Sequence, residues 1–194
     1  MNSRKVCIAI LCWKGYKKRL ARTISTFWKF NGHGWDDDII IWDNTDTGED
    51  RSYIDKLPFR VFREGNSGVN LGVQDGTIRL WEICVDLGYN YILNLQDDFP
   101  SLAKTNIKTV ISFLESRPKI GYVRLNKKRY SKKNMITGKT IKKERVKHKK
   151  AKFFISNMHF TLNPAIFRKD LLPLMKGCKS EIEMMKSYQT KYKL

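Results

Sequence analysis

Tyr91-Ile92-Leu93-Asn94-Leu95-Gln96-Asp97-Asp98 is the stretch of sequence that decides how this chain folds. Residues 91–95 are largely apolar, as a strand covered on both faces requires, and the run stops at an amide followed by two acids. A short buried strand whose end carries polar side chains belongs in an open parallel sheet, where ligands bind beyond the carboxyl ends of the strands.

Upstream the same pattern recurs. Residues 5–12 (Lys-Val-Cys-Ile-Ala-Ile-Leu-Cys) form a continuous apolar run. A second buried strand over 38–42 ends in Asp43-Asn44-Thr45-Asp46-Thr47-Gly48, which is turn chemistry. Residues 59–62 read as a third strand, followed by Gly65-Asn66-Ser67-Gly68. Leu20, Ile24, Phe27 and Trp28 return at helical spacing, and a short helix over 49–56 stops before Pro58. A further helix runs from about residue 69 or 74 to 87, with Gly88 placed as its C-terminal cap. Downstream, the sequence predicts a helix over 103–115, a strand over 120–125, a return to order at 153–155, and helices over 164–174 and 181–188. Strand followed by helix, repeated, gives an α/β chain: one Rossmann-type domain over 1–194 with a mostly parallel central sheet flanked by helices. A length of 194 residues suits one core better than two.

Three separate segments thus bring polar groups to one sheet edge: Asp43 with Asn44, Asn66 to Gly68, and Asp97 with Asp98. Each alone is also ordinary turn or capping chemistry; it is their convergence that points to a site. Carboxylates gathered there repel unless a cation or hydrogen-bond donors sit among them. A hard divalent ion held by one or two carboxylates and by substrate phosphates is the usual resolution. Other phosphate motifs fail on pattern. There is no G-x-x-x-x-G-K-[ST], and Gly68-Val69-Asn70-Leu71-Gly72 has the wrong spacing for a dinucleotide fingerprint. His33, His148 and His159 lack metal-ligand spacing. Of the three, His159 is the candidate for a place at the site, because Ser156-Asn157-Met158-His159 is a polar interruption after a strand.

Charge is the outlier in composition. The chain has 38 Lys and Arg against 19 acids, a net of +19. Residues 124–152 hold fourteen Lys or Arg and one acid, Glu144, which accounts for most of the excess. Such a stretch is too polar to pack and suits a polyanion, although a solvated basic loop has the same composition. Cys7, Cys12, Cys84 and Cys178 are scattered with no C-x-x-C pair, as expected of free thiols in a reducing compartment. No apolar run is long enough to span a membrane, and the N-terminal residues read as a first strand rather than a signal peptide, so a cytoplasmic location is expected.

In this order and spacing the motifs resemble family-2-type GT-A glycosyltransferases, well over residues 5–100 and loosely over 118–190. The resemblance implies a nucleotide-sugar-binding half over 1–100 and an acceptor-side half over 101–194 that contains the basic segment. It places Trp13 against the donor's nucleotide, and Asp43, beside Asn44, on the base or ribose. Asn66-Ser67-Gly68 looks like the step that packs under the donor. Gln96-Asp97-Asp98 resembles the acidic motif that holds the diphosphate and a divalent metal, Mn2+ or Mg2+. That motif usually opens with an acid, whereas here Gln96 can only coordinate or hydrogen-bond. Asp98 is then the metal ligand, with Asp97 facing the sugar or supporting the loop. Inverting members commonly carry a late carboxylate as general base. Glu181 and Glu183 are the candidates, and Ser180 with Glu183 reads as a capping box, which leaves Glu181.

The activity implied is transfer of a sugar from a nucleotide-sugar, a UDP-sugar, to an acceptor hydroxyl. The basic segment favours nucleic acid as acceptor, such as a hydroxylated DNA base of the kind viral enzymes decorate, flipped out or met single-stranded. An anionic membrane, a surface glycan or a phosphorylated lipopolysaccharide fits the same charge. Two rivals come from other classes. A nucleotidyltransferase is disfavoured because the first strand lacks a glycine-rich, lysine-bearing loop, and a non-catalytic nucleic-acid-binding protein would not need the acidic edge.

Overall fold

A computed structural model describes residues 6–13, 15–44, 51–64, 70–125, 143–156 and 164–191. In chain order the elements are β1 (Val6–Cys12), α1 (Lys17–Asn31), β2 (Ile39–Asp43), α2 (Arg51–Ile54), β3 (Arg60–Phe62), α3 (Gly72–Asp86) and β4 (Tyr91–Gln96). Then come α4 (Ile107–Glu115), β5 (Tyr122–Arg124), β6 (Lys143–His148), β7 (Ala151–Ser156), β8 (Ala165–Arg168), α5 (Leu172–Met175) and α6 (Glu181–Lys191). Six strands form one sheet in the order β3-β2-β1-β4-β8-β5, and β6 pairs with β7 in a separate hairpin. Five strands of the sheet run the same way; β8 alone is reversed, antiparallel to β4 and to β5. The architecture is mixed α/β with a mostly parallel sheet flanked by helices, as the sequence predicts.

The unbroken apolar run of β1 has its explanation in two cores. Val6, Ile8, Ile10 and Cys12 pack into one, while Cys7, Ala9 and Leu11 pack into the other. Alternation places successive side chains on opposite faces, so a strand buried on both has no polar face to show. On the first face α1 buries Leu20, Thr23, Ile24 and Phe27, one helical stripe, and α4 adds Val110, Ile111 and Leu114. On the second face α3 lays down Leu80, Trp81 and Cys84, joined by Met175 of α5 and Met184 and Tyr188 of α6. Asn94, a buried amide within β4, is satisfied by the Trp81 indole N–H, which donates to its Oδ1 at 2.9 Å. Gly88 ends α3 with φ +90, its N–H bonded to the Val85 carbonyl at 2.9 Å, as a helix-stopping glycine does.

Two expectations are corrected. Residues 165–168 are a strand and not the start of a helix over 164–174. Ala165, Ile166 and Phe167 are fully buried between β4 and β5, and a short apolar run covered on both sides has no periodicity to separate strand from helix. The basic segment is also less uniform than its composition suggests. Its residues 143–148 form β6, and Val146 packs into the first core.

Candidate functional site

The sheet reverses its winding between β1 and β4, where the connections turn from one side to the other. Such a switch point opens a crevice beyond the strand ends. Here the two ends are tied together. The Asp97 N–H donates to the Leu11 carbonyl at 3.1 Å, and the Trp13 N–H donates to the Asp97 carboxylate at 3.4 Å. From the first turn of α1 the Arg19 guanidinium reaches the same carboxylate oxygen at 2.8 Å, and Thr23 donates its hydroxyl to the Asp97 carbonyl at 2.8 Å. Asp97 is only 5% exposed. Burial raises its pKa above the ordinary carboxylate range, against the opposing pull of Arg19 and the Trp13 N–H, with the nearby charge of Asp98 adding to the rise. Asp98 itself is exposed, Gln96 half-buried at the last position of β4, and Trp13 exposed at 38%.

One strand further out, Asp43 ends β2 with no exposure at all. Arg63 grips it with Nε at 3.1 Å and Nη2 at 3.0 Å, and also contacts Asp55 at 2.7 Å. Burial works against the charge of Arg63, but the carboxylates outweigh it and raise its pKa. Asn44 is equally buried, and both ends of its amide are engaged by the backbone. Its Oδ1 accepts from the Leu71 N–H at 2.8 Å, and its Nδ2 donates to the Gly72 carbonyl at 2.9 Å. It therefore fixes the start of α3 against the end of β2. Gly76 makes that approach possible: a Cβ there would stand 3.1 Å from Leu11 Cδ1 and 3.3 Å from Asn44 Nδ2.

The strand ends thus bring Trp13, Asp43, Asn44, Gln96, Asp97 and Asp98 to one edge. Asn66, Gly68 and His159 lie outside the described residues. Glu181 opens α6, and its side chain is likewise outside the description. Glu183 takes part in the capping arrangement, accepting from the Lys179 N–H at 2.6 Å while its own N–H donates to Ser180 Oγ at 3.2 Å. The Gln74 side chain, in the first turn of α3, bonds the Cys178 carbonyl, which brings the approach to α6 close to the same edge.

Sequence reasoning missed Arg19, Thr23, Arg63 and Gly76. Only Gly76 had a visible signal, a glycine inside a helical pattern with no cap to form. The arginines gave none, because their partners lie 78 and 20 residues away. Among the described residues no group of three or more His, Cys, Asp or Glu is placed to hold a metal, and no helix is long and apolar enough to cross a membrane. One exposed carboxylate, Asp98, next to a half-buried amide still fits a cation whose remaining ligands are substrate phosphates and water.

No protein-family model and no curated protein matches the chain. Solved structures do resemble it. A Staphylococcus aureus TarS fragment in complex with UDP-GlcNAc superposes with a TM-score of 0.60 at 15% identity, over 95% of this chain and 53% of that one. A putative nucleotide-diphospho-sugar transferase from Desulfovibrio desulfuricans gives 0.52 at 11%, over 98% and 76%. A 4-diphosphocytidyl-2C-methyl-D-erythritol synthase from Anaerococcus prevotii gives 0.53 at 12%, over 97% and 85%. The chain spans about half the length of the TarS fragment. At these identities the likeness is one of fold, the GT-A-like fold that nucleotide-diphospho-sugar transferases and cytidylyltransferases share.

Proposed function

We propose that this chain is a glycosyltransferase that moves a sugar from a UDP-sugar to an acceptor hydroxyl. The observation that carries the proposal is the Asp97 knot, which fastens the ends of β1 and β4 together at the sheet's switch point and leaves Asp98 exposed beside it. The UDP-GlcNAc complex of TarS supports a nucleotide-sugar as donor.

In this reading residues 1–100 bind the donor and 101–194 face the acceptor. Asp43 is placed for the base or ribose, and because Arg63 covers its carboxylate it accepts from the ligand only once that guanidinium swings aside. Trp13 lies against the nucleotide, with Asn66 and Gly68 beneath it, while Asn44 keeps α3 in place. Asp98, helped by Gln96 and the diphosphate oxygens, would hold Mn2+ or Mg2+. That ion supplies charge neutralisation of the leaving diphosphate. Asp97 orients the loop and faces the sugar, and Glu181 takes the proton of the acceptor hydroxyl. The acceptor is a nucleic acid carrying a hydroxylated base, met through segment 124–152.

The cytidylyltransferase likeness favours one other reading, a nucleotidyltransferase that uses the same edge for a nucleoside triphosphate. Thermal shift with UDP-GlcNAc, UDP-glucose and CTP, each with Mn2+ or Mg2+, separates the two. A ligand at one hundred times its Kd stabilises the fold by about 2.7 kcal/mol. A UDP-sugar should raise Tm by several degrees in wild type and much less in Asp98→Ala. A shift with CTP and none with any UDP-sugar would instead favour the nucleotidyltransferase.

A further inference from the structure

The hairpin of β6 and β7 presents two faces, and Arg145 pairs with Phe154 on the one that carries most of its cations. Residues directly opposite in an antiparallel pair share a face, and the register sets Val146 against Phe153 and Lys147 against Lys152. The Val146 face is seated on α4. Phe153 stacks on Phe113 with ring centroids 4.0 Å apart and planes 4° off parallel, and His148 Nε2 lies 3.1 Å from Ser112 Oγ. A lone two-stranded hairpin is marginal in water, so this seat is what holds it. Arg145, Lys147 and Lys152 are on the other face and exposed, with exposed Lys149 and Lys150 making the turn between the strands. Among the described residues none of these five pairs with a carboxylate. Glu144, the one acid of segment 124–152, alternates onto the Val146 face.

Two features of this ribbon are unfavourable for the fold by itself. Lys147 and Lys152 stand directly opposite, a like-charge pair that destabilises a ladder. Lys149 holds φ +52 at a turn position where Asn or Gly is preferred. A bound polyanion would relieve the first and use the charge that the second retains. The ribbon's place in the chain supports the same use. β5 ends at Arg124 on the edge that carries Asp97, and the reversed β8 begins there at Ala165, with the Leu125 N–H bonded to the Pro164 carbonyl at 2.9 Å. The basic excursion therefore leaves from and returns to the proposed transfer edge.

We infer that the outward face of this hairpin, Arg145, Lys147 and Lys152 with the Lys149-Lys150 turn, is a docking ribbon for the phosphate backbone of a nucleic acid. The inference rests on the acceptor reading above. Arg145 and Lys147 lie about 6.6 Å apart along the strand, close to the step between phosphates of an extended strand. A two-stranded ribbon also fits the major groove of a duplex. A lipid surface would use the same charge but offers no repeat of phosphates at the spacing of Arg145 and Lys147.

Fluorescence anisotropy with single-stranded and duplex DNA oligonucleotides, over a salt series, tests the ribbon. The probe protein is the full chain, wild type or carrying Arg145→Gln, Lys147→Gln and Lys152→Gln together. Each phosphate contact contributes roughly 0.7 to 0.9 to the slope of log K against log salt, so the triple variant should lose about 2 units of slope and bind at least about tenfold more weakly. Unchanged affinity and slope in the variant would overturn the inference. So would wild type that binds phosphatidylserine vesicles but no DNA at low salt. The Tm shift with UDP-GlcNAc, measured on both proteins, keeps the two readings apart. Its absence from both counts against the donor site, whatever the DNA result.

Discussion

The first hundred residues carry thirteen Lys and Arg against fourteen acids, while the remaining ninety-four carry twenty-five against five. Within each part, one group of charges shows the contrast. At the strand ends of β2 and β4, Asp43 and Asp97 are buried, and each is held by an arginine drawn from a different element. On the hairpin the cations are exposed and stand beside one another. An ionised group taken out of water must find its partner within the fold, whereas exposed like charges cost little and stay available to a partner from outside. The edge at Asp43 and Asp97 is therefore built by folding, whereas the hairpin's cations keep their charge toward solvent.

Breaking the buried side of this contrast should have the largest effect. Arg63→Ala leaves Asp43 fully buried without its guanidinium. A loss of about 2 kcal/mol in denaturant-unfolding stability is expected, since a buried charge loses one of its partners. A loss below about 0.5 kcal/mol would mean that Asp43 does not depend on Arg63.

Arg19→Gln is expected to cost less, about 1 kcal/mol near neutral pH, because Arg19 is 44% exposed. Its pH dependence is the sharper observable. The native state holds the Asp97 proton more tightly than the unfolded chain does, so ionising Asp97 lowers stability as pH rises from the ordinary carboxylate value through the raised one. Removing Arg19 raises that pKa further. Stabilities of variant and wild type, followed by urea unfolding from pH 3 to 7, should converge in acid and separate toward neutrality. A gap that stays constant across the range would place the contribution of Arg19 elsewhere.

The exposed side should barely respond. Lys152→Glu replaces a like-charge pair opposite Lys147 with an opposite-charge one and is expected to raise stability by up to about 0.5 kcal/mol. A loss above about 1 kcal/mol would show that these lysines serve the fold itself.

Much of this was legible beforehand, and the exceptions have physical reasons. β1, β2 and β4 announce themselves because a strand covered on both faces must be apolar throughout, and their polar ends then fall on one edge. β8 was read as a helix because three buried residues hold no period, and β6 was missed because one seated face is enough to fold a lysine-rich strand. The acids of the site were visible as acids, but their arginines were not, since no local pattern ties Arg19 to Asp97 or Arg63 to Asp43. Asn44 shows the converse. Its type and place suit a ligand contact, yet its amide is already engaged by Leu71 and Gly72.

The most direct test is to map amide chemical shifts on adding UDP with Mg2+. Binding at the switch point should move Trp13, the ends of β2 and β4, and Asp97 and Asp98, while the opposite end of the sheet stays still. A cavity of about 310 Å³ lies at that other end, lined by Asn90, Tyr91, Glu115, Arg168, Lys169 and Asp170. Shifts gathered there, with Trp13 and Asp98 unmoved, would contradict a donor site at the Asp97 edge.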